Sequence, residues 1–225
     1  MMKKNKIFVA CDSTNISIIK KIIKHTSHTK LKIGYKFGLE FFNSKNGRNF
    51  VSKLKKKVIF ADLKLHDIPN TCVSAIRAIK DLKVNYLTIH ISSGLQALKA
   101  AKKVSGSIRL VGVSILTSLD NKELKEIGFN KNVKKLVIHQ AKLAKKAKLD
   151  AIVCSAQEVK IVKKIFKKEI ITPGIRINSK TDDQKRVLTP KQAFKNGAHS
   201  LVIGRNITKG NIKKNIQTLI DHLNQ

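Results

Sequence analysis

The segment "VIFADLKLHDIPNTCVSAIRAIKDL", Val58 to Leu82, carries the pattern that decides the fold. Its β-branched, apolar start, Val58–Leu63, suits a strand, and from Pro69 to Leu82 the spacing of apolar residues suits a helix packed on one face. Proline presets the first helical turn and lacks only an N–H that has no intrahelical partner there. A strand running at once into a helix is half of a parallel crossover unit.

The same rhythm extends in both directions. Further strands are predicted at Lys6–Cys11, Leu31–Tyr35, Tyr86–Ile91, Ile108–Ile115, Asp150–Cys154, Glu169–Thr172 and Ser200–Ile203. Helices are predicted at Asn15–Lys24, Asn46–Lys57, Leu95–Val104, Val133–Ala147, Gln157–Phe166, Thr189–Asn196 and Asn211–Leu223. Eight such units predict an α/β fold, a single-domain (β/α)8 TIM barrel over residues 1–225. An open doubly wound sheet is the alternative, but the first strand ends in "ACDSTN" rather than a glycine-rich dinucleotide fingerprint. Two long connections, Leu116 to about Asn132 and Pro173 to Leu188, would emerge at the C-terminal face of a barrel, where ligands bind.

Composition narrows the partners. The 225 residues hold 47 Lys and Arg against 14 Asp and Glu, a formal charge of +33 that would suit a polyanion. Yet the lysines are spread along the chain and recur at helical spacing, as in Lys142, Lys145 and Lys146, or Lys160, Lys163, Lys164 and Lys167. The second set leaves Val159, Val162 and Phe166 as an apolar complement, the pattern of a solvated helix face. Six arginines, two tyrosines and no tryptophan give little for bidentate readout or base stacking. A specific nucleic-acid partner is therefore not expected, although a basic binding protein remains a second reading. Cys11, Cys72 and Cys154 fit neither a disulfide framework nor a zinc site. No run approaches the ~18 apolar residues of a membrane span, and Ile7–Cys11 is too short for a signal peptide core. The expected location is the cytoplasm, with no membrane partner.

Within "ADLKLHDIPNT", Asp62 and Lys64 lie two apart at a strand end, so both face the barrel interior. Asp67 lies beyond the strand. Spacing alone allows either an ion pair closing the barrel, with Asp67 as a helix cap, or a reactive site. Neighbouring carboxylates would keep Lys64 protonated and able to act as an acid. Asp12, at the end of the first strand, reads equally as a helix N-cap. His66 and His90 read as structural, and no metal is expected.

"DLKLHDIPNT" resembles the signature of the orotidine 5′-phosphate decarboxylase family. The likeness continues in order through "KIGYKFGLEFF", "TIHISSG", "ILTSLDNKELKEIGF", "LDAIVCSAQE", "TPGIR", "DDQKRVLTP" and "VIGRNIT". It implies a homodimeric barrel that removes CO2 from orotidine 5′-phosphate to give UMP, without metal or organic cofactor. By the same resemblance Lys64 donates the proton, flanked by Asp62 and Asp67. Asp67, Ile68 and Thr71 would complete the partner's site. Lys32, in "LKIG", would join the charge chain and contact ribose with Asp12, with Lys36 as the alternative lysine. Thr117 would bond the pyrimidine amide and Pro173 pack near the base. Gly204, Arg205 and Gln184 would hold phosphate, and Arg176 would anchor a loop or contact the ligand. "HISSG" departs from the usual double-glycine form near Ser92 and Gly94. Related sugar-phosphate decarboxylases share Asp-x-Lys-x-x-Asp but use magnesium; the "IPNT" after Asp67 and the lack of an extra acidic ligand favour the metal-free enzyme.

Overall fold

The computed structural model of the protein describes residues 6–27, 29–177 and 188–224. Its strands are β1 (Lys6–Ala10), β2 (Lys32–Phe37), β3 (Val58–Leu65), β4 (Tyr86–His90), β5 (Arg109–Val113), β6 (Ala151–Val153), β7 (Glu169–Thr172) and β8 (Ser200–Ile203). All pair in parallel, each with the next, and β1 also pairs with β8. The ring is closed, so the open-sheet alternative does not hold.

Helices cover the outside, among them Ile16–Thr26, Pro69–Ile79, Val133–Lys146, Val159–Ile165 and Ile212–Asn224. Val159, Val162 and Phe166 are buried while Lys160, Lys163, Lys164 and Lys167 are exposed, so one face packs on the sheet and the other carries charge. The helix expected at Asn46–Lys57 spans only Gly47–Ser52. Lys56, with φ 60°, takes a left-handed backbone that a helix cannot continue through. Short helices Leu39–Phe42, Asn121–Glu126 and Arg205–Thr208 lie in segments that the apolar periodicity left as connections. Among the described residues, no helix is long and apolar enough to cross a membrane.

The barrel interior is filled in layers. Phe8, Phe60 and Tyr86 meet edge-on or tilted, with Phe8 centred 4.9 Å from Phe60 and 5.1 Å from Tyr86. Val111, Ala151 and Ile171 complete that layer. A Cβ on Gly34 would come within 2.8 Å of the Phe8 ring, so β2 must offer no side chain there.

Below the aromatic layer, Glu169 gathers the donors at the N-terminal end of the ring. Its carboxylate accepts from Ser200 at 2.7 Å and Tyr86 at 3.1 Å, and pairs with Arg109 at 2.8 Å. Lys6 lies 3.9 Å away. Glu169→Ala leaves two cations facing each other without their shared anion, and is expected to cost on the order of 2–3 kcal/mol in urea unfolding. A change below about 0.5 kcal/mol, typical of a surface site, would show that water replaces the carboxylate without loss.

Candidate active site

The opposite end of the barrel opens into a cleft of about 450 Å³. Phe60 and the aliphatic ends of β5, β6 and β8 form its floor, through Val113, Val153 and Val202. Its polar wall is built by Asp12, Lys36, Asp62 and Lys64. Thr117, Pro173, Arg176, Gly204 and Arg205 line the remainder.

Four of these groups alternate in sign. Lys36 Nζ lies 3.2 Å from Asp12 Oδ1 and 3.3 Å from Asp62 Oδ2. Lys64 Nζ donates to that same Asp62 oxygen at 2.9 Å. The other Asp62 oxygen, Oδ1, accepts from the Thr88 hydroxyl at 3.1 Å. Burial alone would push the Asp62 carboxyl up, but the ammonium groups of Lys36 and Lys64 outweigh it and hold the group below the usual carboxylate range. Lys36 behaves in mirror image: burial favours the neutral amine, and Asp62 followed by Asp12 raise it above the usual lysine range. Both charges therefore persist through neutral pH.

Lys32 does not reach this row. It is the first residue of β2, exposed and in register with Lys6 at the closed end of the barrel. Lys36 is the lysine that reaches the row. The two share a strand face, but four residues of strand separate them by roughly 13 Å. Nor is Asp12 a helix cap: Asn15 caps Ile16–Thr26, accepting from Ser17 and Ile18. Asp67 is exposed and its side chain accepts from the Ile68 N–H at 2.7 Å. Among the described residues no ion pair joins Asp67 to Lys64, and Asp67, Ile68 and Thr71 stand outside the cleft on an exposed edge, with Ile68 66% exposed.

The remaining candidates divide in the same plain way. A Cβ on Gly204 would meet only Ala10 Cβ, at an ordinary 3.5 Å, so packing does not demand glycine there; what its missing side chain leaves open is the cleft. Arg176 is buried, donates to the Ile175 carbonyl at 3.1 Å, and its backbone N–H bonds Leu188 O, which ties the two described ends of the seventh loop together. Gln184 lies outside the described residues. His66 and His90 sit 5.1 Å apart, ring to ring. Burial, then the charges of His66 and Lys64, lower the His90 imidazole below its ordinary value. Among the described residues, no group of three or more His, Cys, Asp or Glu side chains could hold a metal ion.

The Asp62 contribution to stability has a defined sign. Its carboxyl is depressed in the folded state, so its stabilisation is complete above the unfolded value near 3.9 and is lost as pH falls through the folded value. The urea stability gap between the native protein and Asp62→Asn is expected to stay level from pH 5 to about 8 and to shrink below about pH 4. A gap that widens on acidification would reverse the assigned direction.

Residues 5–216 match the model of a family described as "Orotidine 5'-phosphate decarboxylase / HUMPS family". An orotidine 5'-phosphate decarboxylase of Wolbachia pipientis subsp. Culex pipiens (strain wPip) is 44% identical over 212 residues, covering 91% of this chain and 92% of the relative. Another, from Wolbachia sp. subsp. Brugia malayi (strain TRS), is 43% identical and covers 96% and 97%. The crystal structure of orotidine 5'-phosphate decarboxylase from Lactobacillus acidophilus superposes with a TM-score of 0.81 at 30% identity, over 99% of this chain and 100% of that one.

Proposed function

The chain belongs to the orotidine 5'-phosphate decarboxylase / HUMPS family, and from that membership we propose that it is a carboxy-lyase that converts orotidine 5'-phosphate to UMP. The family description spans two activities, and the 44% and 43% identical relatives support the first of them. The observation that carries the mechanism is the amine of Lys64, which lines the cleft and is held 2.9 Å from Asp62.

Breaking the bond between the pyrimidine ring and its carboxylate leaves an electron pair on the ring carbon while CO2 departs neutral. Lys64 answers that charge twice, first as an adjacent cation and then by giving a proton to form the new C–H bond. Its neutral amine then regains a proton from solvent. The carboxylate of Asp62 would repel a substrate carboxylate ~4 Å away by about 4 kcal/mol at an effective dielectric near 20, and that repulsion vanishes as CO2 leaves. Stabilisation of the developing charge by Lys64 contributes more to the rate, since it acts on the transition state itself. Lys36 and Asp12 fix the far end of the row and offer ribose a donor and an acceptor.

Phosphate would bind at Gly204 and Arg205, beside the mouth of β8, where barrels commonly hold it, and by the family resemblance Gln184 would be a further phosphate ligand. Thr117 would bond the pyrimidine amide and Pro173 pack against the base. The reaction asks for no metal or organic cofactor, because the charge it creates is met by Lys64. Exposed Asp67, Ile68 and Thr71 would enter the site of a second copy in a homodimer, which explains why they lie outside their own cleft. Three buried cysteines outside any disulfide support a reducing, cytoplasmic setting.

Turnover of orotidylate, followed by absorbance, is expected from the purified protein and unchanged by a chelator. Lys64→Ala is expected to lower kcat by at least about 10⁴-fold while UMP still binds; an active Lys64→Ala would remove the proposed acid. Arg205→Ala should raise KM by about 10–100-fold, the value of a charged hydrogen bond, and an unchanged KM would move phosphate elsewhere. Mixing inactive Lys64→Ala with inactive Asp67→Ala should restore about a quarter of native activity, since half of the random dimers would carry one intact site. No recovery, with mixed dimers demonstrated, would confine Asp67 to its own chain.

A further inference from the structure

The row of charges depends on a break in the sheet. Between β3 and β4 the register runs Ala61 to Leu87 and then Leu65 to Ile89. Three residues, Asp62, Leu63 and Lys64, therefore stand opposite one, Thr88. Lys64 takes a φ of 50° inside the strand, a left-handed backbone rare for a side chain with a Cβ and costing on the order of 1–3 kcal/mol. Such a bulge re-aims a side chain, but it also takes N–H groups off the ladder. Something must hold the bulged conformation in place.

We propose that Thr88 is the positioning residue of the site: its hydroxyl clamps the bulge of β3 and so aligns Lys64 with Asp62. Thr88 is completely buried on the interior face of β4. Its Oγ1 accepts from the Lys64 backbone N–H at 2.7 Å and donates to Asp62 Oδ1 at 3.1 Å. An N–H cannot accept, so the single hydroxyl hydrogen must point to the carboxylate, and the rotor has one orientation. One atom thus replaces the missing ladder partner of Lys64 and fixes the plane of the Asp62 carboxylate. With Oδ1 held by Thr88, Oδ2 is left to Lys36 and Lys64. Thr88 does not itself line the cleft, so it acts through these two groups.

The role of Thr88 in turnover rests on the decarboxylase reading above; the clamp itself does not. Thr88→Val keeps the branched shape and removes both hydrogen bonds, and Thr88→Ser restores them. For orotidylate, Thr88→Val is expected to lower kcat by about 10–100-fold, the effect of misplacing a catalytic group, with KM within about threefold. Thr88→Ser should lie within about threefold of native kcat, because it keeps the hydroxyl. Without substrate, the Lys64 amide should exchange with solvent at least about tenfold faster in Thr88→Val than in either other protein, as expected for one lost hydrogen bond.

An unchanged kcat in Thr88→Val, a loss carried only by KM, or a loss that serine does not recover would each overturn the positioning role. If Thr88→Val does not fold, Thr88→Cys keeps the bulk with only a weak donor and acceptor and should fall below Thr88→Ser in kcat; native kcat in Thr88→Cys would overturn the role equally. If the native protein does not turn over orotidylate, the decarboxylase reading fails on its own, and amide exchange still decides the clamp: unaltered exchange at Lys64 in Thr88→Val or Thr88→Cys removes it.

Discussion

The carboxylate of Asp62 is the interaction on which the open end of the barrel depends. A lone buried anion would be driven to its neutral form, and burial likewise disfavours the charged amine of Lys36. Together they stay charged, because one carboxylate accepts from Thr88 through Oδ1 and pairs with both ammonium groups through Oδ2. Asp62 is the member the two lysines share: without it, Lys36 would keep Asp12 alone and Lys64 would lose the anion 2.9 Å from its amine. Such an arrangement resists relaxation, as the proposed role of Lys64 in meeting developing charge would require.

The same barrel solves a different problem at its other end. There Glu169 satisfies Ser200, Tyr86 and Arg109 and closes the ring. Phe8, Phe60 and Tyr86 separate the two polar ends with a tightly packed aromatic layer. Each end thus carries its own polar network, one gathered at Glu169 and one at Asp62. Among the described strand residues, a left-handed backbone falls at Lys64, where the β3 bulge turns its side chain toward the cleft.

Acidic residues are scarce in this chain, and their placement explains why those in "ADLKLHDIPNT" stand out. Asp150 pairs with Lys102 at 2.6 Å and accepts from the Leu110 N–H, Asp120 and Glu123 form a capping box, and Asp81 meets Arg48. Each of these carboxylates meets a specific donor. The lysines of the outer helices instead point to solvent from many sides of the ring, as Lys142, Lys145 and Lys160 do.

Apolar periodicity and the proline-led helix starts made the eight strands and most helices legible, because a residue's choice between strand and helix is largely local. Ring closure was legible only as an expectation from the count of units. The helix Asn121–Glu126 was written in the sequence too: Asp120 followed three residues later by Glu123 is a capping-box signature, which apolar spacing alone passes over. The motif brought Asp62 and Lys64 to one face, but it could not choose between Lys32 and Lys36, which alternate identically on β2. That choice, the role of Thr88 and the outward position of Asp67 belong to the tertiary structure. Register between strands, and the height of a side chain along the barrel, are set by partners distant in sequence, so a local pattern reports which face a residue takes and leaves its neighbours undetermined.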